Sequence, residues 1–397
     1  MRNALIAMAT SAVFISGCSH SPSTLPQPIG QTRSKNHAGT APHPRTQFTV
    51  LYSFHGPDGS KPNGGLIQDA SGNFYGTASG TGAERRGIVY KLDSQGNETV
   101  LFRFKAGRST GRQPSSGLVQ DTSGNFYGVT WTGGRYDLGV VYKLDAAGNE
   151  SVLHSFNGGD GANPQGTLIR DASGNLYGTS YTGGAQNFGA AFKISSTGHE
   201  TLLHSFGASR VDGAYPEAGM IRTASGVLIG TNNSGGPFDD GTVFKIDSGG
   251  REIVLHSFDG SDGKAAQTGL VRDASGILYG TTCGGGIGPG TIFKLDPSGH
   301  LTELHRFNGA DGDCPQGILI RDSSGNIYGT ASFGGSSNLG VIFELDTSGN
   351  LIVLHSFSGT DGSLPTQSLF RDTAGNLFGT TYAGGASNDG IIFELTP

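Results

Sequence analysis

The chain has 397 residues, 69 of them Gly, 16 Pro and 3 Cys, and a formal charge of −6. The Gly share is more than twice the usual one, but the glycines recur at regular intervals, so they mark turns and not a structureless chain. An acid excess over the repeated body argues against generic nucleic-acid binding.

Residues 1–17 carry one base, Arg2, and an apolar run over 4–15. The run is too short for a bilayer span, which needs about 20 residues, and fits the apolar part of a secretory signal. It ends in Ile15-Ser16-Gly17-Cys18, which resembles the lipobox of bacterial lipoproteins. The resemblance implies acylation of Cys18 and a membrane partner through the lipid. With Ser19 following, it implies the outer membrane or cell surface. A cleaved signal with a chance Cys is the alternative. Residues 18–46 are rich in Ser, Pro and Gln, hold no acid, and carry Arg33, Lys35 and Arg45. Such a segment cannot bury a core and reads as a tether.

Residues 47–397 repeat one string about every 50 positions. In the third copy it reads LHSFNGGDGANPQGTLIRDASGNLYGTSYTGGAQNFGAAFKI. Each copy holds four strand signals. In this copy they are A (167–170), B (176–180), C (189–194) and D (200–206), and tight Asp/Gly/Asn turns separate A from B and C from D. The A signals begin at Leu66, Leu118, Leu168, Met220, Leu270, Leu319 and Leu369. Seven four-stranded units at this period predict an all-β fold, a seven-bladed β-propeller of antiparallel blades. The folded part opens on a D signal and ends on a C signal. The N-terminal strand is therefore expected to complete the C-terminal blade, which closes the ring and hides its edges. A closed ring is expected to be a monomer.

The string LHSF-G-DG-P-G-L-RD-SGNLYGT-GG-G-VFKLD is similar to that of the GloVer tandem-repeat proteins, bacterial proteins with varied surface anchors, over nearly all of 47–397. The resemblance implies a secreted or anchored repeat protein. It implies no defined activity, so no catalytic residue is carried over from it.

Several residues look like chemistry. His154, His204, His256, His305 and His355 share one D-strand position, with Tyr52 and Phe102 in the other copies. Neighbouring outer strands are expected to stand too far apart for a shared metal, so the position reads as aromatic packing and no metal is expected. Asp58, Asp160, Asp212, Asp262, Asp311 and Asp361 precede Gly and read as turns, since calcium needs six to eight converging oxygens. Arg170, Arg222, Arg272, Arg321 and Arg371 end the A strands, four of them next to Asp. They are expected to form interblade Arg–carboxylate pairs, with an anion site in the channel as the alternative. No nucleophile elbow, HExxH or Walker string is present.

Strand alternation puts the longer B–C and D–A loops on one face, the expected binding face. There Trp131, the only Trp, is expected beside Arg135, Tyr136, Arg85, Arg86, Arg108 and Arg112, a grouping suited to an acidic glycan. Solvated loops with Trp131 packed down are the alternative. Cys283 and Cys314 are the thiols left beyond Cys18, both on this face at the junction of blades five and six, and a disulfide between them is expected. The function expected is a non-enzymatic scaffold for a glycan or protein ligand, with no catalytic residue and no cofactor. The alternatives are a glycan-active or lactonase-type enzyme using Asp239, Asp240 and Arg210, and a structural envelope protein.

Overall fold

The computed structural model describes residues 46–80, 86–285 and 288–397. Cys18, the tether and Arg85 fall outside them. The described residues fold as seven antiparallel blades in a ring, with no helix among them. Blade three shows the plan: Ala162–Arg170, Leu176–Thr182, Ala190–Ile194 and Glu200–Ser205 pair in that order as A, B, C and D.

Closure is as the strand order required. Gln47–Ser53 pairs antiparallel with Ile391–Thr396, from Gln47 opposite Thr396 to Ser53 opposite Ile391. This ladder slips register between Val50 and Tyr52, and the C–D ladder of blade three slips at the equivalent place, between Ala191 and Phe192. The joined strand is therefore a D strand in geometry as well as in sequence.

The core is built between blades. The Phe that ends each D strand meets the central aromatic of the next blade's C strand. The pairs run from Phe54–Tyr90 through Phe156–Phe192 to Phe357–Phe393, all edge-on with centroids 5.0 to 5.6 Å apart. Except for Phe104 at 4 %, these rings are at most 1 % exposed. Each pair contributes about 0.5–1.5 kcal/mol beyond area burial, and seven such pairs close the circle. Gly178 of strand B explains part of the Gly content, because a Cβ there would lie 2.6 Å from the Phe192 ring.

At the axis the A strands touch. Seven equivalent positions, Gly65, Gly117, Thr167, Gly219, Gly269, Ile318 and Ser368, meet neighbour to neighbour around the ring; a Cβ on Gly219 would lie 2.5 Å from the Thr167 carbonyl oxygen. This crowding interrupts strand A. In blades one, two and six it is two pieces, as in Ser60–Pro62 and Ile67–Gln68, and in blade three a register shift separates Gln165 from Ile169. Sequence periodicity shows only the second piece.

One expectation needs correcting. The A-strand arginines do not form the expected pairs with the acids beside them. Arg170, Arg222, Arg321 and Arg371 lie over Tyr127, Tyr177, Tyr279 and Tyr328 of the preceding blade, 5.2 to 5.7 Å from the ring centroids. The acids are engaged locally: Asp171 accepts from the backbone amides of Ser173 and Asn175 and from the Tyr177 hydroxyl at 3.1 Å. In blade five the facing residue is Ile229, and Arg272 lines a cavity of about 450 Å3 with Arg222.

Candidate functional site

The loop-face end of the inner strands carries one variable slot per junction. It is formed by the residue near the end of strand B in one blade and a residue of strand A in the next. The A-strand members Lys61, Gln113, Asn163, Tyr215, Ala265, Cys314 and Leu364 all have φ between 53° and 57°. Their amides reach back to the previous blade's B–C loop, as in Asn163 to the Leu138 carbonyl and Tyr215 to the Phe188 carbonyl, at 2.7 and 2.8 Å. A left-handed backbone costs an L-residue about 1–2 kcal/mol, and this shared interblade bond holds it. The backbone is thus constant around the ring while the side chains differ.

Those differences define the site. The Lys61 ammonium lies 5.2 Å from the Tyr382 ring. Asn163 donates through Nδ2 to the Trp131 carbonyl at 2.9 Å. Tyr181 and Tyr215 pack at 5.1 Å, and Cys283 and Cys314 are disulfide-bonded. Trp131 lies 5.7 Å from Tyr181, and Phe188 meets Tyr215 at 5.4 Å, so an aromatic arc runs Trp131–Tyr181–Tyr215–Phe188 across blades two to four. Trp131, Tyr181 and Tyr215 are half-buried and Phe188 is exposed.

A polar arc continues it. Ser332 donates to Gln316 at 2.7 Å, Gln316 to Gln267 at 3.2 Å, Gln267 to Asn233 at 3.5 Å, and Asn233 to Glu217 at 2.9 Å. Burial pushes the Glu217 carboxyl up to about 7, against the Asn233 hydrogen bond, which favours the ionised form. Burial, then the charge of Glu217, raises Tyr181. Aromatic faces next to a row of amides and one carboxyl offer both surfaces of a sugar ring a partner: apolar C–H faces for the rings, hydroxyls for the amides.

The residues expected to form the site are divided. Trp131 belongs to the aromatic arc. Arg135 and Tyr136, both exposed, stack on each other at 5.3 Å, and the Arg135 amide donates to Ser155 Oγ at 2.7 Å. Arg112, on the A-strand piece Gly111–Pro114, pairs with Asp137 of the B–C loop of the same blade. The Arg86 carbonyl accepts from Gln113 at 2.7 Å, and Arg108 is exposed. A groove of about 820 Å3 between the outer strands of blades one and two runs beside Lys105 and Glu150, away from the aromatic arc. Sequence reading missed Tyr181, Tyr215, Glu217, Asn233, Gln267 and Gln316. Tyr181 and Asn233 share Trp131's column in the repeat, and variation within that column was the available signal.

Asp239, raised as an enzymatic candidate, closes a loop. Its Oδ1 accepts from the Gly235 amide at 2.9 Å, the bond that Asp137, Asn187, Asn338 and Asn388 make in their blades.

The D-strand histidines and the Asp-Gly acids turn out to be one unit. His154, His256, His305 and His355 lie 2.7 to 3.0 Å from Asp160, Asp262, Asp311 and Asp361, and each ring meets the following Phe edge-on. Tyr52 donates to Asp58 in the same way. At one junction neighbouring outer strands do bring ligand-type atoms together. Glu252 Oε2, from the neighbouring outer strand, lies 3.9 Å from His204 Nε2. Burial, and then Asp212 beside it, raises the Glu252 carboxyl.

The profile of the Gloeobacter/Verrucomicrobia repeat matches residues 33–237 and 218–397. No curated protein matches the chain. Among solved structures, the extracellular domain assigned to a hybrid two-component system of B. thetaiotaomicron is 14% identical with a TM-score of 0.59, and the match covers 87% of this chain and 39% of that one. A second structure of that extracellular domain, assigned to a one-component system, matches at 13% identity and TM-score 0.57, over 87% and 39%. This chain therefore spans about two-fifths of those chains, and the likeness shows the propeller fold. A gluconolactonase of Xanthomonas campestris matches at 14% identity and TM-score 0.44, over 73% of this chain and 87% of that one.

Proposed function

This chain belongs to the Gloeobacter/Verrucomicrobia repeat family, and from that premise we propose that it is a non-enzymatic binding scaffold whose loop-face rim takes a glycan. The observation that carries the reading is the aromatic arc Trp131–Tyr181–Tyr215 running into the amide row Asn233–Gln267–Gln316, with Glu217 where the two meet. Stacking rings bind sugar faces at low entropic cost, because they are already held by one another. Arg135 with Tyr136 on the adjoining B–C loop of blade two, and Arg112 on its A strand, favour an acidic glycan. The scaffold works outside the cytoplasm, anchored at the outer membrane or cell surface through an acylated Cys18.

The test is a glycan array probed with the full chain carrying Cys18→Ser. Trp131→Ala and Tyr181→Ala are each expected to weaken retention at least tenfold with unchanged melting temperature, and Arg135→Ala to weaken acidic glycans selectively. Retention unaffected by the two aromatic substitutions rejects the rim, and retention of a protein but no glycan rejects the ligand class. Loss of palmitate labelling in Cys18→Ser checks the anchor.

A further inference from the structure

The outer rim repeats one junction, in which the D-strand aromatic of one blade faces the first residue of the next blade's D strand. That first residue is Glu in blades one to four (Glu98, Glu150, Glu200 and Glu252), Leu301 and Leu351 in blades five and six, and Phe48 in blade seven, whose ring stacks on His355 at 3.8 Å. The junction of blades three and four differs in its D–A loop, which is two residues longer, so eight positions separate His204 from Asp212 where six separate His154 from Asp160.

The longer loop brings Asp212 onto His204 beside Glu252. Asp212 Oδ1 stands 3.4 Å from His204 Nε2, and its other oxygen accepts from the Ala208 amide at 2.9 Å. Glu252 Oε2 stands 3.9 Å from the same nitrogen, and the three ligand atoms lie within 4.8 Å of one another. The Glu252 side chain is 8% exposed and that of Asp212 5%. The second Glu252 oxygen is buried, and beyond Asp212 and His204 the carboxyl meets the Gly213 backbone amide. Two buried carboxyl groups side by side hold a proton between them or a cation in its place.

We propose that His204, Asp212 and Glu252 bind one Zn2+ ion that clamps blades three and four at the outer rim. Zinc takes imidazole nitrogen and carboxylate oxygen at about 2.0–2.2 Å, which sets ligand atoms about 3.3–3.6 Å apart around a tetrahedron. The separations of 3.4 and 3.9 Å need only a small contraction. The imidazole selects zinc over calcium or magnesium, which prefer oxygen-only sites. The His204 side chain, 17% exposed, leaves the fourth position open to water. This site is independent of the glycan rim, which sits on the inner strands.

The repeat supplies variants that fold. Phe102 fills the His204 position in blade one, and Leu301 and Leu351 fill the Glu252 position. The full chain is stripped with chelator, equilibrated with Zn2+, desalted and assayed for metal by mass spectrometry. His204→Phe and Glu252→Leu are each expected to hold one Zn2+ fewer per chain than the unsubstituted protein, while His256→Phe holds the same. Zn2+ is expected to raise the melting temperature of the unsubstituted protein and not of His204→Phe. Equal metal content in His204→Phe and the unsubstituted protein overturns the site. So does an equal loss in His256→Phe, which would place zinc along the rim generally.

Discussion

Tyr181 and Tyr215, ring centroids 5.1 Å apart, occupy the same junction slot that Cys283 and Cys314 occupy two junctions further on as a disulfide. The backbone is the same in both, with φ of 57° at Tyr215 and 53° at Cys314. The ring geometry therefore fixes where a residue stands and leaves open what it does there. Two aromatic rings pack against each other at one junction, and a covalent bond fastens two blades at another.

The disulfide should matter for stability more than for binding. It closes a segment of 31 positions, for which chain entropy predicts about 3–4 kcal/mol. Reductant, or Cys283→Ser with Cys314→Ser, is expected to cost about 2–4 kcal/mol, read as a lower thermal midpoint, with glycan retention unchanged. A midpoint insensitive to reductant would mean that the remaining contacts of blades five and six hold the junction without it.

Closure gives a sharper test. Phe54 arrives from the N-terminal strand, yet it packs on Tyr90 of blade one as Phe156 packs on Phe192, and both Phe54 and Phe156 are fully buried. Phe54→Ala and Phe156→Ala should therefore cost alike, about 3–5 kcal/mol each in denaturant melts. A much smaller cost at Phe54 would show that the seventh blade frays without unfolding the rest.

The wheel was legible in the sequence because its cause is repeated. Seven copies of the A signal, beginning at Leu66 and recurring to Leu369, and a chain that opens on D and ends on C leave little freedom for the blade count or the clasp. The rim was legible only in part. Trp131 drew notice by being unique, but its partner Tyr181 lies one repeat away and looks like any strand tyrosine until the copies are aligned column by column. The arginines misled because sequence adjacency suggested Arg–Asp pairs. The Asp of each turn is already satisfied by backbone amides, and the cation finds the neighbouring tyrosine. His204 and Glu252 each stand in a repeated column, but the longer loop that carries Asp212 to them has an effect in space that no periodicity records.

A mismatch within the core predicts a gain. Five blades place Phe at the central C-strand position, and Tyr90 and Tyr142 stand there in the first two. The Tyr142 hydroxyl is buried without a hydrogen-bond partner among the described residues, and a Cβ at Gly128 would lie 2.6 Å from it. Tyr142→Phe removes an unsatisfied group without changing the packing volume, so it should be neutral or stabilising by about 1–2 kcal/mol. Destabilisation in a urea melt would instead reveal a bound water serving that hydroxyl.

The carboxyl at the meeting of the two arcs sets a pH dependence with a definite sign. Burial raises Glu217 from its ordinary 4.5 to about 7 in the folded protein. A raised folded value means the folded state binds the proton more tightly than the unfolded chain does. The contribution to stability is complete below pH 4.5 and is lost as pH rises to about 7. Glu217→Gln keeps an uncharged hydrogen-bonding group at every pH. It should match the parent near pH 4 and exceed it near pH 8 by about 1–2 kcal/mol, a figure discounted because the residue is partly exposed. If the two melting curves stay parallel across that interval, Glu217 is ionised in the fold, and the rim presents a charge where a neutral donor is expected.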